Sequence, residues 1–262
     1  MEVHHHPHVP NHAKPWKEYL LEGLMIFVAV TLGYGAENIR EHFVETKKAI
    51  VSAKNLYKDV LDDSVTFEQN MHNRNRQDTL FEIINILYEK KQLTQHIPEL
   101  YAAHSYISLR MLPIMNSLAL DEIKSSGTLR FIEDESLKTE IQLYAGRSNG
   151  LILREQREFG YIDRMIDPIT TTNFKYSFFR EVNDKFKIVN QSIIVDMPIP
   201  QHLNINKSVS FDWENYFSIL GMLKTIRKST DINYIQPTQK DATNLLAHLR
   251  KYLIEHNALE EK

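Results

Sequence analysis

Cysteine is absent from this chain, which excludes disulfides, thiolate metal sites and cysteine nucleophiles; the compartment stays open, because a cysteine-free protein survives in either redox environment. Glycine is scarce, eight in 262 residues, and no glycine-rich phosphate loop or dinucleotide fingerprint occurs. Gly33-Tyr34-Gly35 lies inside an apolar run, where it cannot cradle a phosphate. The HExxH and nucleophile-elbow patterns are missing as well. Charge of one sign is not in excess: the net is −3 with acids and bases interspersed, so the basic footprint of a nucleic-acid binder is lacking and no nucleic-acid partner is expected. Long apolar runs are lacking everywhere except one place.

That place is residues 19–36, YLLEGLMIFVAVTLGYGA. Eighteen residues at a rise of roughly 1.5 Å reach about 27 Å, just short of the roughly 30 Å hydrocarbon layer. The sequence therefore predicts a short, upright transmembrane helix over residues 18–36, with the lipid bilayer as its first partner. Glu22 would cost about 3 kcal/mol at the bilayer centre, against about 0.4 returned by each large apolar residue, so insertion is feasible but marginal. One turn from the amino end, its carboxylate reaches the headgroups; it reads as an interfacial acid, with a polar contact between neighbouring spans as the alternative. Ala29 and Gly33, and Thr31 and Gly35, are small residues four apart, a spacing that lets two helices approach closely and points to a homodimer through the span. A buried core helix is the soluble alternative, and the charged flanks argue against it. The preceding segment is long and His-rich, and no small-x-small cleavage site follows, so the span is expected to be retained. Orientation stays open: Arg40, Lys47, Lys48 and Lys54 place the large domain in the cytoplasm by the positive-inside count, whereas an uncleaved signal-anchor sends it outward.

Residues 1–17 read as a disordered tail in which His4, His5, His6, His8 and His12 are weak candidate ligands for Zn, Ni or Cu. No second shell would fix their geometry, and no cofactor is expected. Beyond the span the chain turns amphipathic without Pro or Gly, and Ile39, Phe43, Ile50, Ala53, Leu56 and Val60 predict a helix continuous with the span to about Asn70. Further helices are expected over 78–91, 98–112, 115–126 and 135–166, the last ended by Pro168. Residues 169–210, aromatic, branched and proline-broken, read as irregular with a short strand or two. Helices over 212–227 and 238–257 complete a mainly α architecture: a helical domain over 37–168, on which residues 211–262 pack. Asp59, Asp62, Asp63 and Glu68 read as a solvated acidic face. His72, Arg74 and Arg76 read as a basic cluster at a helix junction, and Arg154, Arg157 and Arg164 as pairing with Glu155, Glu158 or Asp163 on their own helix. Phe174, Tyr176, Phe178, Phe179, Trp213, Tyr216 and Phe217 read as a core patch.

Residues 120–137, LDEIKSSGTLRFIEDESL, followed by Ile141 and Tyr144, resemble the signature of a bacterial family of uncharacterised single-span membrane proteins. The anchor is similar too, with Tyr19-Leu20-Leu21, Glu22 and the Glu37-Asn38 exit. The resemblance covers roughly residues 1–170 and implies an anchor plus a helical domain in a bacterial inner membrane; it brings no activity, catalytic residue or ligand. The His-rich start and the few basic residues before the span depart from the family. The block also has a structural account: Gly127 closes one helix, Leu129 and Ile132 plug the core, Asp134 opens the next, and Leu137 begins its apolar face. The expectation is a non-enzymatic, membrane-anchored interaction or scaffold protein with an unknown protein partner. The alternative is a sensor domain binding a small ligand between helices.

Overall fold

Nothing between Trp16 and Glu89 compels a break: the stretch holds no proline, and its three glycines all fall within the apolar run. Helix α1 accordingly spans Trp16–Glu89, 74 residues and about 111 Å of continuous helix. The computed structural model describes residues 15–183, 185–189, 192–195 and 211–260. The five tail histidines, His4, His5, His6, His8 and His12, lie outside the described residues, as does 196–210 of the expected irregular region.

The polar run at 71–77 does not end α1 near Asn70, because its inward residues find partners inside the bundle. Gln77 Nε2 donates to the carbonyls of Tyr106 and Leu109, both at 2.9 Å, and Arg74 is fully buried. The helix expected over 78–91 is therefore the last part of α1. Pro98 opens α2, Ile97–Ile107, from its first turn, and a strap over residues 109–117 leads to α3, Leu118–Ser126. Gly127 ends α3 at φ +67°, a left-handed position that glycine takes without steric cost. After a short 3₁₀ turn, Asp134 caps α4, Glu135–Tyr161, accepting from the backbone N–H groups of Ser136 and Leu137 at 2.9 and 3.0 Å.

Pro168 does not stop the chain's helical course. A π-helical turn over Ile162–Ile166 passes into α5, Asp167–Asn173, and places the proline in a first turn, where its missing N–H has no role. Then follow α6, Tyr176–Asn183, and a hairpin of β1, Phe186–Val189, against β2, Ser192–Val195, antiparallel with Phe186 opposite Val195. The described part of the region read as irregular is thus helix and hairpin. Asp212 caps α7, Trp213–Thr230, by accepting from Asn215 N at 3.0 Å. A second π-helical turn, Asp231–Ile235, replaces the loop expected before α8, Gln236–Glu255.

The elements close around two cores set one beyond the other along α1. The core nearer the apolar run joins Ala49, Ala53, Leu56, Val60 and Phe67 of α1 to α3, to Leu137, Ile141 and Tyr144 of α4, and to Leu245, Leu249 and Leu253 of α8. The farther core joins Leu80 and Ile84 of α1 to Leu100 and Tyr101 of α2, Phe174, Phe178, and Leu220 and Leu223 of α7. Arg74, Glu158, Arg227 and Asp231 lie buried between them.

Candidate functional site

The buried charged layer is the most elaborate polar site among the described residues. Every N–H of Arg74 is engaged. Nε donates to Asp231 Oδ1 at 2.5 Å, Nη1 and Nη2 grip Glu158 as a fork at 2.8 and 3.1 Å, and the remaining two protons reach the carbonyls of Met111 at 2.7 Å and Arg227 at 3.2 Å. One guanidinium thereby ties α1 to α4, to α7 with its π-helical turn, and to the strap. Burial opposes the Arg74 charge, but Glu158 and Asp231 outweigh it and hold its pKa above the ordinary value. Burial pushes Asp231 and Asp78 up despite their cationic neighbours. Burial brings Arg227 down to about 10; its Nη2 reaches the carbonyl of Ile107, Glu158 lies 3.9 Å from its Nε, and that Nε has no hydrogen-bond acceptor.

This layer corrects three readings of the sequence. Arg74 sits in mid-helix and is not part of a junction. Glu158 pairs across the bundle, because its side chain faces the axis and not along the α4 surface. Arg154 likewise leaves its own helix, donating to Thr230 Oγ1 at 2.9 Å and the Ile226 carbonyl at 3.2 Å, while Asp163 pairs with Arg110 of the strap.

A second site holds the strap. Asp63, read as solvated, is buried: Oδ2 accepts from Tyr144 Oη at 2.6 Å and Oδ1 from Asn116 N at 2.8 Å. Asp59 accepts from Asn116 Nδ2 and from Ala119 N, both at 3.0 Å, and so satisfies an orphan donor at the start of α3. Asp62 and Glu68 remain exposed. Burial raises the Asp63 pKa against its hydrogen bonds, and burial with Asp63 beside it raises that of Tyr144. Between the strap, α3 and α4 runs a groove of about 320 Å³, floored by Leu112, Met115, Leu120, Ala145 and Leu151 and bordered by Asp121, Lys124 and Glu155.

A third site is wholly neutral. His104, in the far core, stacks on Phe174 with centroids 4.2 Å apart and meets Tyr216 Oη at 2.9 Å and Thr170 Oγ1 at 2.8 Å. Thr170 already donates its one hydroxyl proton to the Ile166 carbonyl, so Nε2 of His104 carries the ring proton and Nδ1 accepts from Tyr216. Burial lowers the pKa of this imidazole to about 3. Sequence reasoning passed over it, and the signal available was a histidine within the apolar run over residues 100–107 of α2.

Glu22, Ala29, Thr31, Gly33 and Gly35 all lie on the uncovered part of α1. A Cβ on Gly33 or Gly35 would meet nothing within 4 Å, and Thr31 Oγ1 donates to the Phe27 carbonyl at 2.8 Å. Helical arithmetic separates the two small-residue pairs. Thr31 and Gly35 stand about five turns before the buried Ala49 and Ala53 and share their side, whereas Ala29 and Gly33 stand about five turns before the exposed Lys47 and Val51. The signature residues lie around the start of α4: Ile132 and Leu137 are buried, Leu129 packs against the near core, and Asp134 also accepts from His248 Nε2 at 2.8 Å. Hydrogen bonds from Ser136 and Leu137, then His248, hold the Asp134 carboxyl well below the usual range.

Among the described residues, no three His, Asp or Glu side chains converge as a metal site would need. No family model, curated protein or solved structure matches the chain.

Proposed function

We propose that this chain is a single-span membrane protein whose helical body serves as an interaction module without catalysis of its own. One observation carries the reading: the apolar window of α1 is long and apolar enough to cross a membrane and is wholly uncovered by the body, although the same helix becomes the spine of the body from Ala49 onward. Apolar side chains of this size favour burial by about 1.5 kcal/mol or more each, so Leu20, Leu21, Leu24, Met25, Ile26, Phe27, Val28, Val30 and Leu32, all left bare, call for an apolar surrounding that the body does not supply. A bilayer supplies it. From Ala36 to Ala49 the helix rises about 20 Å, stiffened by the Glu37–Arg40 and Glu45–Lys48 pairs, and stands the body off the membrane.

The absence of catalysis is supported by how the buried charges are used. Arg74 has no donor left for a substrate, and the groove under the strap is lined by none of the charged-layer residues. That groove favours the second reading, a membrane-bound sensor, because it is apolar-floored, partly enclosed and bordered by both signs of charge. Carbonate extraction tests the anchor. The intact chain is expected to stay with the membranes and a chain lacking residues 19–36 to wash off; equal release of both would overturn the reading. Reporter fusions after residue 262 determine the side on which the body lies.

A further inference from the structure

The outer side of α1 beyond the stalk carries two features together. Phe43, Val51, Leu61 and Val65 each leave roughly half or more of their surface in water, and none of the described elements covers them. On the same side stand Lys47, Lys54 and Lys58, all exposed and without an ion pair among the described residues. Lys47 and Val65 are about five turns apart and fall on one line; Phe43, Lys47, Val51, Lys54, Lys58, Leu61 and Val65 follow one another at steps of three and four, so bases and apolar groups are interspersed along a single face. Asp62 and Glu68 are the exposed acids of α1 at its two borders, and Lys54 also lines a concavity with Arg250 and Glu260.

We propose that this face binds a second membrane protein through an acidic amphipathic helix, one with apolar side chains every third or fourth residue and Asp or Glu beside them. The inference rests on the membrane-anchored reading above and adds the surface and the chemistry of the partner. Charge complementarity selects that partner. Lipid headgroups do not serve: on an upright helix leaving the bilayer at Ala36, Lys47 stands about 16 Å and Lys58 about 33 Å beyond, against a Debye length of about 8 Å. A second copy does not serve either. Two copies in one membrane emerge in parallel, and their two-fold axis would set each of the three lysines against its own equivalent. Ala29 and Gly33 continue the same line into the bilayer, so a partner's span can approach closely on the side its helix occupies outside.

The probe is a fluorescent helical peptide of about six turns with a leucine seam flanked by Glu, alongside a matched peptide flanked by Lys. Both are titrated against the full-length protein in nanodiscs of zwitterionic lipid. The Glu peptide is expected to bind, and to bind at least tenfold more weakly to the Lys47→Glu/Lys54→Glu/Lys58→Glu protein and to Val51→Asp, each checked for native helicity by circular dichroism. The Lys peptide should bind the charge-reversed protein and not the wild type. Equal binding of both peptides, or binding of neither, overturns the proposal. A photoreactive residue at position 51 in native membranes examines the same face. An adduct with a different protein that disappears on charge reversal supports the proposal, while an adduct of twice the chain's own mass overturns it in favour of a second copy. Carbonate fractionation of the same membranes separates the two ideas, since a chain that washes off while the peptides still discriminate refutes the anchor and leaves the face standing.

Discussion

The two cores of the body are made differently from similar amounts of apolar residue. The near core is largely aliphatic and is built from long helices, α1, α4 and α8, whose apolar steps repeat with the helical period. The far core is aromatic, with Tyr101 meeting Phe174 and Phe178 edge-on and Tyr88 stacked on Phe217, and much of it comes from elements too short to stand alone: α2, α5, α6 and the hairpin. Long helices bring their own order to the first core, whereas the second is held by tertiary contact. The charged layer lies between them and, with α1 and the two π-helical turns, joins the two into one body.

Removing that layer's centre should have the largest effect. Arg74→Ala leaves Glu158 and Asp231 buried without their cation and is expected to destabilise the body by about 3–5 kcal/mol. The comparison predicts more than a lower midpoint: urea unfolding in detergent, followed by near-ultraviolet and far-ultraviolet dichroism, should split, with the aromatic far core lost before the helical near core. Arg74→Met and Arg227→Met combined with Glu158→Leu and Asp231→Leu should recover most of the loss, since the burial penalty goes with the charges only when both cations leave with both anions. A single coincident transition in Arg74→Ala would show that the cores do not depend on the layer for their cooperation.

Acid should separate the cores next. His104 has a folded pKa of about 3 against 6.5 unfolded, so below pH 6.5 the unfolded chain binds the extra proton and stability falls as pH falls, by about 3 kcal/mol at pH 4. Asp63, beside the near core, has the opposite sign: its pKa is raised, so the stability linked to it is present in acid and is lost as pH rises past the ordinary carboxylate value. Between pH 6.5 and 4, amide protection factors, which correct for the slower intrinsic exchange in acid, should therefore fall in α2 and α5 before they do in α4 and α8. His104→Phe should flatten that dependence; an unchanged slope would assign it to other groups.

A smaller effect is expected at the strap. Asp63→Ala strips the Tyr144 hydroxyl and the Asn116 N–H of their acceptor, at about 1–3 kcal/mol, and should loosen residues 109–117 while leaving the far core's exchange unchanged.

What could be read from the sequence follows the same division. The near core was legible because Ala53, Leu56, Val60 and the leucines of α8 recur with the helical period, and because Asp134, Asp212 and Gly127 are helix-end residues by their own chemistry. The charged layer was not, since Arg74, Glu158 and Asp231 lie far apart in the chain, and a buried arginine reads like a solvated one until its partners are placed. The π-helical turns were missed for a related reason: Pro168 and Pro237 each stand in the first turn of a renewed helix, where proline is tolerated, and Pro168 read as a break. Lys47 and Lys54 entered the sequence reading only through the positive-inside count; that they share a face left uncovered became visible only once the body was placed on the other side.

The smallest effect isolates a purely local cause in the near core. Gly127 sits at φ +67° with nothing within 4 Å of where a Cβ would stand, so Gly127→Ala is strained by its backbone alone, without collision. The expected loss is about 1 kcal/mol, the cost of holding a side-chain-bearing residue in the left-handed region. Asparagine tolerates that region better, so Gly127→Asn should lose less than the alanine variant. Thermal melts of the two variants in detergent would rank them. If alanine and asparagine were equally harmful, the turn after α3 would depend on the closeness of a neighbour and not on backbone conformation, and the near core would owe less to local chain chemistry than its long helices imply.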